Sequence, residues 1–251
     1  MADLPGADLD LAEHYPWAVD ARACVLTAAR EWPVRPERGC GMGAARVADA
    51  LTVDEFLERE GAAPIADRTL VVAIGSNASP AVIARKYASG GCGWATPFAT
   101  GTLHGVAVGH SAHVAPRGYI PAAPFARATA VTRVVASWFD EEQLAVVDAT
   151  ERNYARRELD AQRHPLVLES GERPPYSVYV SRHGLIGDRL RSAPVGLGTQ
   201  SAILAHLSAA TSEADFAGDA ADVCRRLAEP GAAVRATAAL QEGPTVAHGL
   251  T

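Results

Sequence analysis

Apolar and polar positions fall into short blocks along this chain rather than into one sustained rhythm. Thr69-Leu-Val-Val-Ala-Ile74 is an apolar, β-branched run that stops abruptly at Gly75-Ser76-Asn77-Ala78. It predicts a strand over Leu70 to Ile74, buried on both faces and ended by a sharp bend. Ser79 followed by Pro80 is a helix-start pair, because serine caps free N–H groups and proline is tolerated in the first turn. Val82, Ile83, Lys86 and Tyr87 carry that helix to a stop at Gly90. Strand, turn and helix start aim several backbone N–H groups at one point, which suits a carboxylate or a phosphate. The same Gly-Ser-Asn turn also follows many strands for steric reasons alone.

A second β-rich block, Thr129 to Phe139, predicts another strand. It runs into Asp140-Glu-Glu-Gln143, an N-cap with glutamine three residues on, so a short helix over Leu144, Val147 and Asp148 follows and ends near Thr150. Thr100 to Val108, Pro165 to Glu169 and Tyr176 to Ser181 read as further strands, the last two joined as a hairpin by Ser-Gly-Glu-Arg-Pro-Pro. On either side the pattern is helical. Trp17 to Trp32 is Ala-rich, with apolar residues at Val19, Cys24, Val25 and Ala29, and Pro33 closes it. Thr52-Val-Asp-Glu55 is a capping box opening a helix to Glu60, which Gly61 ends. Gly198 to Ala209 places Ile203, Leu204 and Leu207 on one face. Ser212-Glu-Ala-Asp215 opens a helix to Leu227, stopped by Glu229-Pro-Gly231, and the last stretch predicts one more helix before a frayed tail. The whole predicts an α/β (α+β) fold, a mixed β-sheet or small barrel flanked by helices. Its expected parts are a helical N-terminal extension over 1–66, a central domain over 67–185 and a helical C-terminal extension over 186–251.

Composition narrows the function classes. The 251 residues are 48% apolar and 21% charged, an ordinary globular balance, with a net charge of −6. That charge argues against a nucleic-acid surface and against binding to anionic lipid. The opening Met1-Ala-Asp-Leu-Pro-Gly-Ala-Asp8 is acidic and lacks the apolar core of a secretory signal, and no apolar run approaches the roughly 18 residues of a membrane span. A cytoplasmic location is expected. Cys24, Cys40, Cys92 and Cys224 are scattered, with neither a C-x-x-C pair nor zinc-site spacing, so free thiols and no metal are expected.

Two local strings raise rival chemistries. Gly109-His-Ser-Ala-His113 nearly matches the nucleophile elbow G-x-S-x-G, which makes Ser111 a candidate hydrolase nucleophile. His113 stands in place of the final glycine, however, and Pro116 and Gly118 follow where the elbow needs a helix. His104, His110 and His113 are candidates for a pocket wall or a metal site, although loop histidines commonly make only surface hydrogen bonds. Gly41-Met-Gly-Ala-Ala-Arg46 opens like a dinucleotide fingerprint, but no β run precedes it and Arg46 occupies the third glycine position, so no nucleotide cofactor is expected.

Two stretches together carry a resemblance. Ile74-Gly75-Ser76-Asn77, and later Val147-Asp-Ala-Thr-Glu151-Arg-Asn-Tyr154 with Arg156 and Arg157 close behind, resemble the paired motifs of the gamma-glutamylcyclotransferase-like superfamily. In that superfamily a strand ends in Tyr-Gly-Ser-Asn. A short helix of the form Leu-Asp-x-x-Glu-Gly comes later, followed by a tyrosine and basic residues entering a strand. The resemblance covers residues 67–185 and implies a gamma-glutamylcyclotransferase-like fold. It implies that Gly75, Ser76 and Asn77, flanked by Ile74 and Ala78, hold the substrate's α-carboxylate, that Tyr154 lines the pocket, and that Glu151 is the catalytic acid/base. The implied reaction cyclises a γ-glutamyl amide to 5-oxoproline and releases an amine, without cofactor or metal, from a small-molecule substrate. A homodimer is compatible with it.

The chemistry is coherent with so small a site. An α-ammonium cannot attack the γ-carbonyl until it loses a proton. One carboxylate able to take that proton and return it to the leaving nitrogen is typically worth about 10² to 10⁴ in rate. Positioning an intramolecular nucleophile contributes much of the rest. Glu151 falls at a helix C-terminus, where the dipole disfavours negative charge. Its bland alternative is a solvated glutamate paired with Arg152 or Arg156. Tyr154, Tyr176 and Tyr179 are candidates for the pocket wall or for plain core. Ile74 replaces the superfamily tyrosine and Arg152 replaces the glycine. Both departures favour the rival reading of a catalytically silent member that binds a small acid or serves as a scaffold.

Overall fold

A computed structural model describes residues 11 to 250 apart from 19, 189–192, 212 and 244. Val19 and Ser212, which enter the helix readings above, therefore lie outside the described residues.

The first departure from the sequence reading comes early. Where Trp17 to Trp32 reads as a helix, the chain forms β1 (Cys24–Leu26) and β2 (Glu31–Arg35), paired as a hairpin. Cys24, Val25 and Leu26 are all buried. Three consecutive helical residues point in different directions around the axis, whereas a strand covered on both faces buries all of them. Thr27 N–H donates to Arg30 O at 3.0 Å and closes the turn between the strands. β3 (Arg46–Val47) and β4 (Leu51–Thr52) extend the same ribbon, so this part of the chain joins the sheet rather than forming a helical preface. α1 (Val53–Arg59) follows with the expected capping box: Thr52 Oγ1 accepts from Glu55 N at 3.2 Å, and the Glu55 carboxylate accepts from Thr52 N at 2.8 Å.

The central elements form as the apolar runs predict. β5 (Thr69–Ala73) ends at the Gly75 bend, a single 3-10 turn spans 76–78, and α2 (Pro80–Gly90) begins at the proline. Ser79 caps with its carbonyl and not its side chain, accepting from Val82 N and Ile83 N at 3.1 and 3.2 Å. β6 (Thr96–His110) and β7 (Ala122–Phe139) make one long hairpin that contains both predicted runs. α3 (Glu141–Thr150) starts on the Asp140–Gln143 capping box. β8 (Tyr154–Glu158), β9 (Leu166–Leu168), β10 (Ser177–Ser181) and β11 (Leu185–Ile186) follow. Then come α4 (Gln200–Ala210), α5 (Ala220–Leu227), α6 (Ala232–Gln241) and β12 (Thr245–Val246).

The main sheet runs β4-β3-β2-β1-β6-β7-β5-β10-β8, with β9 added on β6, and β5–β10 is a parallel pair among antiparallel ones. It is a mixed, open sheet: the fold class read from the sequence holds in its mixed-sheet form, and no closed barrel forms among the described residues. The expected β9–β10 hairpin is absent. Every residue of β10 is buried, which suits an interior place between β5 and β8 better than one arm of an isolated ribbon. One apolar cluster, including Val72, Trp138 and Val178, covers one side of the sheet. A second cluster, Ile83, Tyr87, Phe98, Phe139 and Val147 among them, fills the space beneath α2 and α3.

The C-terminal helices pack through Ile203, Leu207, Val223, Leu227 and Leu240 against Ile120 and Ile186. α5 starts later than expected, at Asp219, whose carboxylate accepts from Ala221 N at 2.9 Å. The tail is not frayed: β12 pairs with β11, and Leu250 is buried. No described helix is long and apolar enough to cross a membrane.

Candidate functional site

The site is built where β5 ends. β5 lies between antiparallel β7 and parallel β10, and its last residues deliver Ile74 to Asn77 to the mouth of a cavity of about 410 Å³. α2 leaves that turn and packs against α3. Gly90 allows the approach: a Cβ there would stand 2.5 Å from Val146 Cγ1. The consequence is felt one turn earlier, where Lys86 on α2 meets Glu151 just past α3. Lys86 Nζ donates to Glu151 Oε1 at 2.7 Å, and Asn77 Nδ2 donates to the same oxygen at 3.0 Å. The Lys86 and Glu151 side chains are 13% and 15% exposed.

Glu151 is fixed from behind as well. Its N–H donates to Asp148 O at 3.1 Å and its carbonyl accepts from Tyr154 N at 2.9 Å. Arg156 pairs with Asp148 at 3.1 Å and not with Glu151, so the helix-end pairing expected of a bland glutamate goes to its neighbour. Among the described residues, Glu151 Oε2 carries no hydrogen bond. Asn77 Oδ1 is buried without a partner. Two acceptors therefore flank the Lys86 contact with capacity to spare, a setting that suits an ammonium group or another donor.

Part of the remaining wall is aromatic, and Arg85, Ser89, Thr150 and Asn153 also border the cavity. Tyr15 stacks on Tyr119 with centroids 4.5 Å apart, and Trp17 meets both rings edge-on at 5.0 and 5.3 Å. Arg117 lies over Trp17 at 5.3 Å. Tyr15 Oη accepts from Ala122 N, while Tyr154 Oη donates to Ala122 O at 2.8 Å. Burial, reinforced by neighbouring phenols and the Glu151 charge, pushes Tyr15 and Tyr154 well above the usual phenol range. Burial likewise raises Tyr119 to about 12. The phenols are thus neutral, and the cavity joins this apolar and aromatic wall to a polar side that includes Arg85, Lys86, Arg117 and Glu151.

Ile74, Gly75, Ser76, Asn77, Glu151 and Tyr154 all border this cavity. Ala78 borders an adjoining space of about 160 Å³, and its N–H closes the turn on Gly75 O at 3.0 Å, which narrows the candidate carboxylate cradle to Gly75, Ser76 and Asn77. Tyr179 reaches the cavity. Tyr176 does not; it is buried and donates to His164 O.

No protein-family model matches the chain, and no curated protein matches it. Solved structures that are similar to it in part include the following two. One, described as a gamma-glutamyl cyclotransferase, is 15% identical and matches 46% of this chain and 68% of its own, with a TM-score of 0.38. The other, a solution structure from Arabidopsis thaliana, is 18% identical over 46% of this chain and 70% of its own, with a TM-score of 0.36. Superpositions this partial carry no chemistry, which has to come from the cavity itself.

The Ser111 hydrolase reading is corrected by burial. Ser111 sits just past β6, fully enclosed and outside the cavity lining, and no helix follows it. Of the three flagged histidines, His113 borders the cavity. His110 is buried with Nε2 accepting from Gly198 N at 3.0 Å, and burial lowers it to about 4. His104 lies on β6 beside Thr102. No group of three or more His, Cys, Asp or Glu side chains is placed to hold a metal among the described residues. Sequence reading missed Lys86 as a site residue, although it is the only lysine in the chain. It also missed Tyr15, Trp17 and Tyr119, which carry no local signal.

Proposed function

We propose that the cavity cleaves a γ-glutamyl amide by intramolecular cyclisation, releasing 5-oxoproline and an amine. The observation that carries this reading is the convergence of Asn77 and Lys86 on a single oxygen of Glu151, at the mouth of the Gly75-Ser76-Asn77 turn. The α-carboxylate would lie against the turn, and the α-ammonium between Glu151 Oε2 and Asn77 Oδ1. Glu151 takes one proton from the ammonium, and the freed amine attacks the γ-carbonyl carbon. The new C–N bond closes a five-membered ring. As the original amide C–N bond breaks, Glu151 returns that proton to the departing nitrogen. The ring nitrogen gives up its second proton to become the lactam N–H, and the released amine takes up one proton from water as it becomes an ammonium, so no net proton, oxidant or cofactor is consumed. Lys86 and Asn77 act as positioning residues that hold one carboxylate oxygen while the other works.

The chamber exceeds what a glutamyl group alone fills, and Tyr15, Trp17 and Tyr119 bound the surplus. An amine half with an apolar or planar face fits that wall, since aromatic contacts add about 0.5 to 1.5 kcal/mol beyond area burial. A binding-only reading draws on the same Lys86 contact, which occupies one oxygen of the carboxylate. Incubating the protein with a panel of γ-glutamyl amides, and quantifying 5-oxoproline and free amine by mass spectrometry, separates the two. Equimolar release of both products supports cyclisation. Calorimetric binding of the same amides without product supports the binding-only reading.

A further inference from the structure

Behind the cavity lies a buried chain of hydroxyls and imidazoles that the reaction above does not use. Ser111 Oγ is 2.6 Å from His113 Nδ1 and 2.6 Å from Ser181 Oγ, and Ser181 Oγ accepts from His183 N at 3.0 Å. Counting protons orients the chain. Each hydroxyl has one proton to give. Ser181 already accepts from His183, and its remaining partner among the described residues is Ser111, so its proton goes to Ser111. The Ser111 proton then goes to His113 Nδ1, the strongest neutral acceptor within reach. The Tyr154 phenol beside Ser111 is a poorer acceptor, and its own proton is committed to Ala122 O. In the reverse order, with His113 Nδ1–H donating, Ser111 Oγ accepts from both neighbours and its own proton is left with the Tyr154 phenol oxygen, a weaker acceptor than a bare imidazole nitrogen, so the forward order is the better-satisfied one.

The forward order leaves Nδ1 bare, so a neutral ring carries its proton on Nε2. The hydrogen bond of the His113 ring among the described residues is made at Nδ1, not at Nε2, and His113 borders the cavity. The ring is clamped between His183, at 4.9 Å, and the edge of Tyr154, at 5.5 Å. Tyr154 in turn is tied through its N–H to Glu151 O, so His113 and Glu151 share one wall.

We propose that His113 is a neutral, preoriented Nε2–H donor facing the cavity, placed to bind the oxygen of a substrate amide carbonyl and the negative charge that develops there during cyclisation. This rests on the cyclotransferase reading for its ligand, but the donor state itself does not. Burial, with His183 adjacent, depresses the imidazole to about 3, and the titratable groups facing it are His183 and Tyr154, so it stays neutral near neutral pH. A donor fixed before reaction needs no reorganisation when charge appears, and removal of one such donor typically lowers rate by about 10² to 10³.

The test is long-range proton–nitrogen NMR on the full chain carrying nitrogen-15 histidine, recorded from pH 5 to 8 with and without 5-oxoproline, with His113 assigned through His113→Gln. The expected result is an Nε2–H tautomer that does not titrate in this range, loses its preference in Ser111→Ala, and shifts when 5-oxoproline binds. An Nδ1–H tautomer, or titration near pH 6, would overturn it. So would saturation by 5-oxoproline, followed by calorimetry, with His113 unmoved. A correct tautomer with no 5-oxoproline binding would sink the cyclisation reading instead, leaving the donor state established. Kinetics on γ-glutamyl-alanine give a second readout: His113→Leu should reduce kcat about 100-fold with KM nearly unchanged, and His113→Gln, which keeps an N–H donor, should recover part of it. Equal loss in both variants would indicate a merely structural histidine.

Discussion

Lys86 Nζ and Glu151 Oε1 are 2.7 Å apart although 65 residues separate them, and the contact exists because α2 and α3 touch at Gly90 and Val146. Lys86→Met keeps the stem and removes the charge, leaving a largely enclosed carboxylate short of a partner. We expect a stability loss of about 1 to 3 kcal/mol, read from urea midpoints, together with a kcat about tenfold lower as Glu151 loses its fixed pose. An unchanged midpoint and unchanged kcat would mean the pair is incidental.

Asn77 is expected to separate binding from turnover. Asn77→Ala deletes both the donor to Glu151 and the buried orphan acceptor, and should raise KM for a γ-glutamyl amide about tenfold or more. Asn77→Asp sets a second carboxylate against Glu151 and should depress kcat instead, since like charges at that range compete for the proton. Steady-state kinetics of the two variants check the split.

The aromatic wall predicts selectivity. Trp17→Ala should raise KM for a γ-glutamyl anilide by about fivefold to tenfold, while leaving KM for γ-glutamyl-glycine nearly unchanged. Equal effects on both substrates would show that Trp17 supports the fold and not the amine half.

Buried imidazoles set the acid response. His110 and His113 are lowered by burial to about 4 and about 3, against 6.5 for an exposed histidine. Between those values the unfolded chain binds more protons than the folded one, so their stabilisation is complete above about pH 6.5 and is lost as pH falls. The slope approaches about 1.4 kcal/mol per pH unit for each histidine. Urea midpoints at pH 7 and pH 5 should show a drop that His113→Gln reduces.

What the sequence revealed was mostly local. The bend after β5, the proline start of α2 and the two capping boxes at Thr52 and Asp140 depend on residues within one helical turn of each other, and all formed. Cys24 to Leu26 took its shape from pairing with Thr96 to Phe98 on β6, a partner far along the chain, and so overrode an Ala-rich helical pattern. β10 likewise chose β5 and β8 over the nearby β9 for the sake of burial. The Ser111 string failed as an elbow because a five-residue match holds no information about enclosure. Lys86 and the Tyr15–Trp17 segment were invisible for the complementary reason: their place in the cavity comes from how α2, the chain's beginning and the β6–β7 loop pack together.

The central claim is that Glu151 carries the proton in an intramolecular cyclisation. The most direct measurement is single-turnover 5-oxoproline release from a γ-glutamyl amide by the native chain and by Glu151→Gln, each verified as folded by its urea midpoint. The account predicts release by the native chain and a rate about 10² to 10⁴ lower in the variant, with substrate affinity largely kept. Equal rates in the two proteins would contradict it.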